Sequence, residues 1–406
     1  MYLKRHIEEA VSRRAIAKGA VVVTGARQVG KTTLIESLKP DIPKITFDDL
    51  PTKRRAINSP STFFNLNPPP IFLDEVQYAP EIFHYIKILL DNSGNKGDFF
   101  LTGSQSFELM KNVTESLAGR AGILELYGLS LREIKHESWK CPFIPTMEYL
   151  SKRKPTSVFV NIPEIWQIIH RGCLPELVIN KHLDWADFYA DYIKTYIERD
   201  VRMLTQVADE ESFIKFMTVC AAMSGQLLNL SSLALDIGVS VPTAKRWLSI
   251  LKTSGIVYLL KPYSNNAINR AVKTPKLHFM DLGLASYLTR WITAENLSVG
   301  ANNGSFFESF VVSELIKSYT NAGREVDLYF LRDGNKKEID LLIHENNTLY
   351  PIEIKINPEP GEKDIKTFKL LENIKGVNIG EGGIICLANE LLQLDDKNYI
   401  IPIAMI

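Results

Sequence analysis

The chain has 406 residues, too many for one ordinary core, so two to four domains are expected. The composition is globular, with 45% hydrophobic and 23% charged residues. Lys plus Arg and Asp plus Glu number 47 each, so no global field draws in a polyanion, and any nucleic-acid site has to come from local segregation of charge.

Cys141, Cys173, Cys220 and Cys386 are far apart, show no metal-ligand spacing, and fit a reducing cytosol. The opening MYLKRHIEEAVSRR lacks the apolar core of a secretory signal. No stretch approaches the ~18 apolar residues of a membrane span. The expectation is a cytoplasmic protein with no membrane partner. There is no internal repeat and no low-complexity tract.

GAVVVTGARQVGKTTLIESL, from Gly19 to Leu38, divides into a buried-strand run, a glycine loop and a helix. That order is the one a phosphate-binding P-loop requires, and the loop matches G-x-x-x-x-G-K-[ST]. The nucleotide-contacting residues expected are Gly25, Ala26, Arg27, Gln28, Val29, Gly30, Lys31, Thr32 and Thr33. Gly25 and Gly30 permit the tight turn whose backbone N–H groups face phosphate, and the helix N-terminus adds partial positive charge. Lys31 is expected to reach the β- and γ-phosphates of ATP, and the Thr32 hydroxyl to ligate Mg²⁺.

The metal needs a second acidic element. In PPPIFLDEVQYAP, Ile71 to Leu73 reads as a strand with Asp74 at its carboxyl end, where open α/β sheets place their sites. Asp74 is expected on Mg²⁺ and Glu75 as base or orienter of the attacking water, which favours hydrolysis over transfer to a small acceptor. The plain alternative is a pair of acids at a helix start. A further strand in GDFFLTGSQSFELM ends near Ser104 and Gln105, which either sense the γ-phosphate or merely cap a helix. Arg120 is an arginine finger, in cis or in trans, or a surface arginine.

At this point the chain resembles the prokaryotic AAA-type ATPases that carry a C-terminal domain of unassigned role. TGARQVGKTT, FLDEVQ, LTGSQ, SLAGR, RGCLPELV, YIKTYIERDV, PKLHFMDLGLASYL and RDGNKKEIDLLI with IEIK carry the resemblance, which covers nearly the whole chain. It implies a multidomain α/β protein: a P-loop AAA/RecA-type ATPase core, a helical and winged-helix middle, and a C-terminal α/β restriction-endonuclease-like domain. The boundaries expected are 1–135, 136–210 for a helical connector, 211–290 for the winged helix-turn-helix, and 291–406.

In the middle, Leu131 to Asn161 lose periodicity and gain Pro142, Pro145 and Pro155, which reads as the exit from the ATPase domain. Asp184 to Leu204 reads as a helix whose Tyr192 and Tyr196 stripe is core. Ser231 to Asp236, a Gly238 turn, Val241 to Leu251 and a strand from Ile256 follow the winged helix-turn-helix plan. Between Asp236 and Asp281 there is no acid, while Lys245, Arg246, Lys252, Lys261, Arg270, Lys273 and Lys276 give a local positive charge. Lys245 and Arg246 on the second helix, with Arg270 and Lys273 in the wing, are the expected DNA contacts. Packing against another domain is the alternative.

Asn302 to Tyr319 reads as an amphipathic helix with Glu308 near its start. KKEIDLLIHENNTLYPIEIKINP then reads as a hairpin turning at Asn346-Asn347. That turn sets Ile339 against Ile354, Leu341 against Ile352 and Ile343 against Tyr350 on one face. The other face sets Asp340 opposite Glu353, and Glu338 opposite Lys355. Facing carboxylates repel unless a proton, water or a hard cation intervenes. Acid, a dozen residues, then Glu-x-Lys also resembles restriction-endonuclease-like nucleases. That resemblance implies a second Mg²⁺ or Mn²⁺ on Asp340, Glu353 and Glu308, with Lys355 on the attacking water. Asp340 follows Ile339 rather than the proline common there, and Glu338 with Lys355 reads equally as a cross-strand ion pair.

Two functions follow. One is a Mg²⁺-dependent ATPase coupling nucleotide state to DNA engagement; the other is a nucleotide-gated switch or scaffold for protein partners, without cleavage. A P-loop kinase fits Asp74-Glu75 less well. A homo-oligomer is required if Arg120 acts in trans.

Overall fold

The computed structural model describes residues 2–104, 113, 115–196, 210–264 and 274–406. The chain forms two compact units. One comprises Met1–Leu129, Thr253–Gly255 and Thr320–Arg324; the other comprises Ser130–Lys252, Ile256–Tyr319 and Glu325–Ile406.

The first unit is built on a five-stranded sheet: β1 (Ala20–Thr24), β2 (Lys44–Thr46), β3 (Ile71–Asp74), β4 (Phe99–Thr102) and β5 (Ala121–Glu125), in the order β2-β3-β4-β1-β5. Every pairing is parallel. A parallel sheet is covered on both faces, so its central strands are continuous apolar runs. AVVVT, IFLD and FFLT are buried at every position. Ala20, Val22, Leu73, Phe99 and Leu101 pack with Phe63, Ile82 and Ile86 into one core. The helices α1 (Lys31–Leu38) and α2 (Ile82–Ser93) follow β1 and β3.

In the second unit, α3 (Trp185–Tyr196) buries Phe188, Tyr189, Tyr192, Ile193 and Tyr196. The expected continuation of this helix to Leu204 lies outside the described residues. Helix α4 (Glu210–Ala222) leads to β6 (Gln226–Leu227), α5 (Leu230–Ile237) and α6 (Val241–Thr253). Asn229 caps α5, its side chain accepting the Ser232 N–H, and Gly238 ends the helix at φ 80°, a left-handed conformation that glycine adopts without strain. Ala244, Trp247, Leu248, Ile250 and Leu251 bury one face of α6. Strands β7 (Val257–Pro262) and β8 (Lys276–Phe279) then pair antiparallel.

These strands do not form a separate hairpin. They join β6, β9 (Asp327–Arg332), β10 (Glu338–Glu345), β11 (Thr348–Lys355), β12 (Asn378–Ile379), β13 (Gly382–Cys386), β14 (Leu392–Gln393) and β15 (Asn398–Pro402) in one ten-stranded sheet. The junction is a parallel pairing of β7 with β9, Lys261 beside Tyr329. Helix α7 (Asn303–Thr320) buries Phe306, Phe307, Phe310 and Leu315.

The C-terminal hairpin turns where expected. Asn346 and Asn347 take φ of 50° and 57°, the left-handed pair of a two-residue turn whose twist matches its strands. Leu341 faces Ile352 and Ile343 faces Tyr350. The expected continuation to Ile339 and Ile354 stops at Asp340. There β10 shifts register against β9, and Asp340 Oδ2 accepts the Ile354 N–H at 2.9 Å.

Two segments that carried the family resemblance meet at Asp281. Its carboxylate accepts the Tyr189 hydroxyl (2.6 Å), the Cys173 N–H (2.8 Å) and the Leu284 N–H (2.9 Å). A Cβ on Gly172 or Gly283 would lie 2.1 or 2.4 Å from the Tyr189 hydroxyl, so RGC and DLG need their glycines for packing. A second buried polar contact joins Arg153 to Glu137, with Arg153 Nη2 also donating to the Ala404 carbonyl at 2.7 Å. Removing one partner strands the other charge away from water. Glu137→Ala is therefore expected to lower unfolding free energy by about 3–5 kcal/mol in denaturant titrations; a change within about 0.5 kcal/mol would mean that Arg153 finds other compensation.

Candidate functional site

The nucleotide-site residues converge at the carboxyl ends of β1, β3 and β4. The loop after β1 depends on its first glycine. Gly25 has φ 146°, and a Cβ there would lie 2.1 Å from the Leu126 carbonyl oxygen. Gln28 and Gly30 are also left-handed, at 59° and 91°. Val29 is buried, its carbonyl accepting from Arg5 Nη1 at 2.8 Å, while Gln28 and Thr33 are exposed and Ala26 and Arg27 half-buried. Lys31 is buried, and its ammonium donates to the Gly25 and Ala26 carbonyls at 3.1 and 2.8 Å.

Asp74 is the hub. The Thr32 hydroxyl lies 3.1 and 3.0 Å from its two carboxylate oxygens, and the Thr102 hydroxyl donates to Oδ1 at 2.5 Å. Lys44 Nζ stands 3.8 Å from Oδ2. A hydroxyl beside a carboxylate is the oxygen-only donor set that Mg²⁺ prefers, so Thr32 and Asp74 fit that ion. Thr102 was not among the sequence candidates. Its signal was present, a polar residue at the end of a buried strand, but Ser104 and Gln105 drew that role.

Glu75 follows in a left-handed conformation, φ 57°, and accepts the side-chain amide of Gln77. Burial pushes its carboxyl up; Lys31 and Gln77 act against that, while Asp74 adds to it. Ser104 is buried, and its Oγ finds no partner among the described residues. Gln105 lies outside the described residues.

Arg120 is elsewhere. It immediately precedes β5, which starts level with Ala20, whereas the glycine loop follows Thr24 at the other end of β1. Five residues of strand span about 16 Å. Arg120 Nη2 donates to Asp91 Oδ2 at 2.9 Å on the surface. The in-cis arginine finger is thereby corrected, because the sheet stands between Arg120 and the loop.

In the second unit, Lys245, Arg246 and Lys252 are exposed on α6, and Lys261 is exposed on β7. Arg270 and Lys273 lie outside the described residues. Lys276 does not join this basic surface. It is 4% exposed, donating to Glu308 Oε1 at 2.8 Å and Glu338 Oε1 at 2.6 Å.

The C-terminal acids are thus arranged differently from expectation. Glu338 pairs with Lys276 and Arg332, not Lys355. Lys355 Nζ lies 2.6 Å from Glu353 Oε1 and 3.7 Å from Asp340 Oδ2. Burial, then the neighbouring Asp340, pushes the Glu353 carboxyl up; burial likewise raises Glu308 against the pull of Lys276. Burial acts to lower the Lys276 ammonium, but Glu308, Asp340 and Glu338 outweigh it and hold it above the ordinary lysine range. Among the described residues, no group of three or more His, Cys, Asp or Glu side chains is arranged to hold a metal ion. Glu308, Asp340 and Glu353 therefore do not make up the expected site for a second Mg²⁺ or Mn²⁺: Lys276 holds Glu308 Oε1, Lys355 holds Glu353 Oε1, and Asp340 Oδ2 accepts the Ile354 N–H.

Residues 17–135 match the model of an AAA domain. Residues 162–295 and 303–406 match two models described as domains of unknown function, DUF8612 and DUF4143. An uncharacterized protein of Mycobacterium tuberculosis is 28% identical over 362 residues, covering 89% of this chain and 76% of its own. One of Methanocaldococcus jannaschii is 23% identical over 410 residues, covering 94% and 86%. A Walker-type ATPase of Pyrococcus abyssi aligns with TM-score 0.44 and 14% identity, over 71% of this chain and 96% of that one. No helix among the described residues is long and apolar enough to cross a membrane. The chain carries an AAA-type P-loop ATPase domain.

Proposed function

We propose that this protein hydrolyses ATP to ADP and phosphate with Mg²⁺, and that its nucleotide state governs DNA engagement by the basic face of α6. The observation that carries the first part is Asp74, held between the Thr32 and Thr102 hydroxyls at the end of β3, with Glu75 next to it. Lys31 leaves its loop carbonyls for the β- and γ-phosphates. Thr32 and Asp74 would hold Mg²⁺, which would supply charge neutralisation at the phosphate oxygens. Thr102 fixes the Asp74 carboxylate. Glu75 orients water for attack on the γ-phosphorus, taking up its proton as the bond to the bridging oxygen breaks. Ser104 Oγ is a donor for a γ-phosphate oxygen. Any contribution from Arg120 is in trans, in a homo-oligomer.

The exposed cations on α6 support DNA contact. The second reading, a switch that binds protein partners, is favoured by a different observation: Leu235 on α5 is 81% exposed and Val241 on α6 is 43% exposed. The C-terminal cluster, with lysines on its acids, supports binding rather than metal-dependent cleavage. Under this reading the domains are an ATPase at 1–135, a helical connector at 136–210, a winged helix-turn-helix at 211–290 and a nuclease-like fold at 291–406.

Lys31→Ala is expected to abolish nucleotide binding, and Glu75→Gln to bind ATP without turning it over; normal turnover in the latter assigns the water to another residue. Because the Glu75 carboxyl is raised, its ionised fraction, and with it turnover, is expected to fall on acidification at a pH above the ordinary carboxylate range. A pH–rate profile that is flat until that ordinary range removes Glu75 as the base.

Thr102→Val is expected to lower Mg²⁺ affinity or turnover by about 10–100-fold with an unchanged melting temperature. Wild-type kinetics would show that Asp74 needs no such support.

DNA is expected to change the ATPase rate and to bind in a salt-sensitive way. Lys245→Ala with Arg246→Ala should then reduce the salt slope by about 2. An ATPase rate indifferent to single- and double-stranded DNA, with no salt-dependent binding, leaves the protein-partner reading. Cleavage products in the same tubes would restore the nuclease reading.

A further inference from the structure

Lys276, Glu308 and Glu338 come from β8, α7 and the first residue of β10, and meet in the second unit. Around Lys276 Nζ stand Glu308 Oε1 at 2.8 Å and Glu338 Oε1 at 2.6 Å, and the Phe330 ring centre lies 5.5 Å away. Arg332 Nη1 holds the other oxygen of Glu338 at 3.0 Å. Asp340 Oδ2 is engaged by the Ile354 N–H, and Glu353 Oε1 by Lys355. Among the described residues Glu353 Oε2 has no donor, although Glu353 is only 6% exposed. Four carboxylates are thus met by Lys276, Arg332 and Lys355, and one buried oxygen is left over.

An ammonium has three donors and no acceptor, so it can sit among carboxylates but cannot share them with a second cation. A divalent ion bridging Glu308 or Glu338 to Asp340 would lie within a few ångströms of Lys276 Nζ, in a buried setting where like charges repel strongly. We propose that Lys276 is the resident cation of this cluster: it takes the place of a divalent metal, locks β8 to α7 and β10, and keeps the acids metal-free while it stays. The latent metal site is the cluster without it. Neutralising Lys276 alone releases Glu308 and leaves Glu338 to Arg332, while Lys355 stays on one oxygen of Glu353 and 3.7 Å from Asp340, and the other oxygen of Glu353 is open to a metal. This inference stands independently of the ATP site and of DNA binding.

The test is Mn²⁺ titration of the nucleotide-free full chain, read by electron paramagnetic resonance, with Asp340→Asn to assign any binding to the cluster. Wild type is expected to show no site sensitive to D340N. K276Q is expected to gain one, with Mn²⁺ affinity raised at least about tenfold, and K276Q with D340N to lose it. Circular dichroism checks that each variant is folded. K276Q with E308Q removes the ion pair together, which a fold tolerates better than half a pair, and keeps Glu338, Asp340 and Glu353; it is expected to gain the site too. A D340N-sensitive Mn²⁺ site in wild type overturns the proposal whatever the variants do. So does a folded K276Q, or a folded double variant, that gains no site.

Discussion

Lys276 has to be paired. Lys276 is only 4% exposed, and an ammonium in so buried a residue carries a desolvation penalty of several kcal/mol, which direct contacts with carboxylates must offset. Glu308 and Glu338 supply those contacts, and because they belong to a helix and a strand far along the chain, the pairing fixes β8 against the C-terminal elements. The same requirement governs Asp281, which gathers three donors, and the Arg153–Glu137 pair. In this unit buried charge works as a set of fasteners. The cluster that resembles a nuclease site is one of them.

The ATPase unit solves a related problem in another way. Asp74 is buried and receives hydroxyls from Thr32 and Thr102, with the Glu75 N–H at 3.2 Å. Its nearest partners are neutral hydroxyls and an amide, with the Lys44 ammonium farther off at 3.8 Å, and neutral donors satisfy a carboxylate without cancelling its charge, so Asp74 still offers a negative oxygen to a divalent ion. At the C-terminal cluster most of the compensating groups are cations, and Lys276, Arg332 and Lys355 offset most of the charge of the four acids. Both sites contain acids at strand ends, yet only one has the electrostatics of a metal ligand. The type of neighbour, rather than the presence of acids, separates them.

What the sequence made legible was local. The P-loop is contiguous, and its glycines are required by backbone geometry that the motif encodes directly, as at Gly25 against Leu126. The hairpin register followed from one turn, because Asn346 and Asn347 tolerate left-handed φ and side chains alternate along strands. Features joined across the chain were not legible. Thr102 meets Asp74 only because β4 lies beside β3, and no spacing reports that. Arg120 sits in a promising Gly-Arg step, but strand direction puts it at the wrong end of the sheet. Lys276 looked like one more cation in an acid-free stretch; its acids lie beyond that stretch, on α7 and β10.

The pairing of β7 with β9 bears on how the middle of the chain can act. A helix-turn-helix whose strands formed a separate hairpin could move as a module on a linker. Here β7 and β8 are strands of the same sheet as β10 and β11, and Lys276 adds an ion pair at the β8 edge. Sheet hydrogen bonds and buried charge resist sliding, so a load applied at α5 and α6 is carried into the strands bearing Glu338, Asp340 and Glu353. A partner engaged at α6 would act on that sheet as one body, and Lys276 is the charged contact placed to feel it.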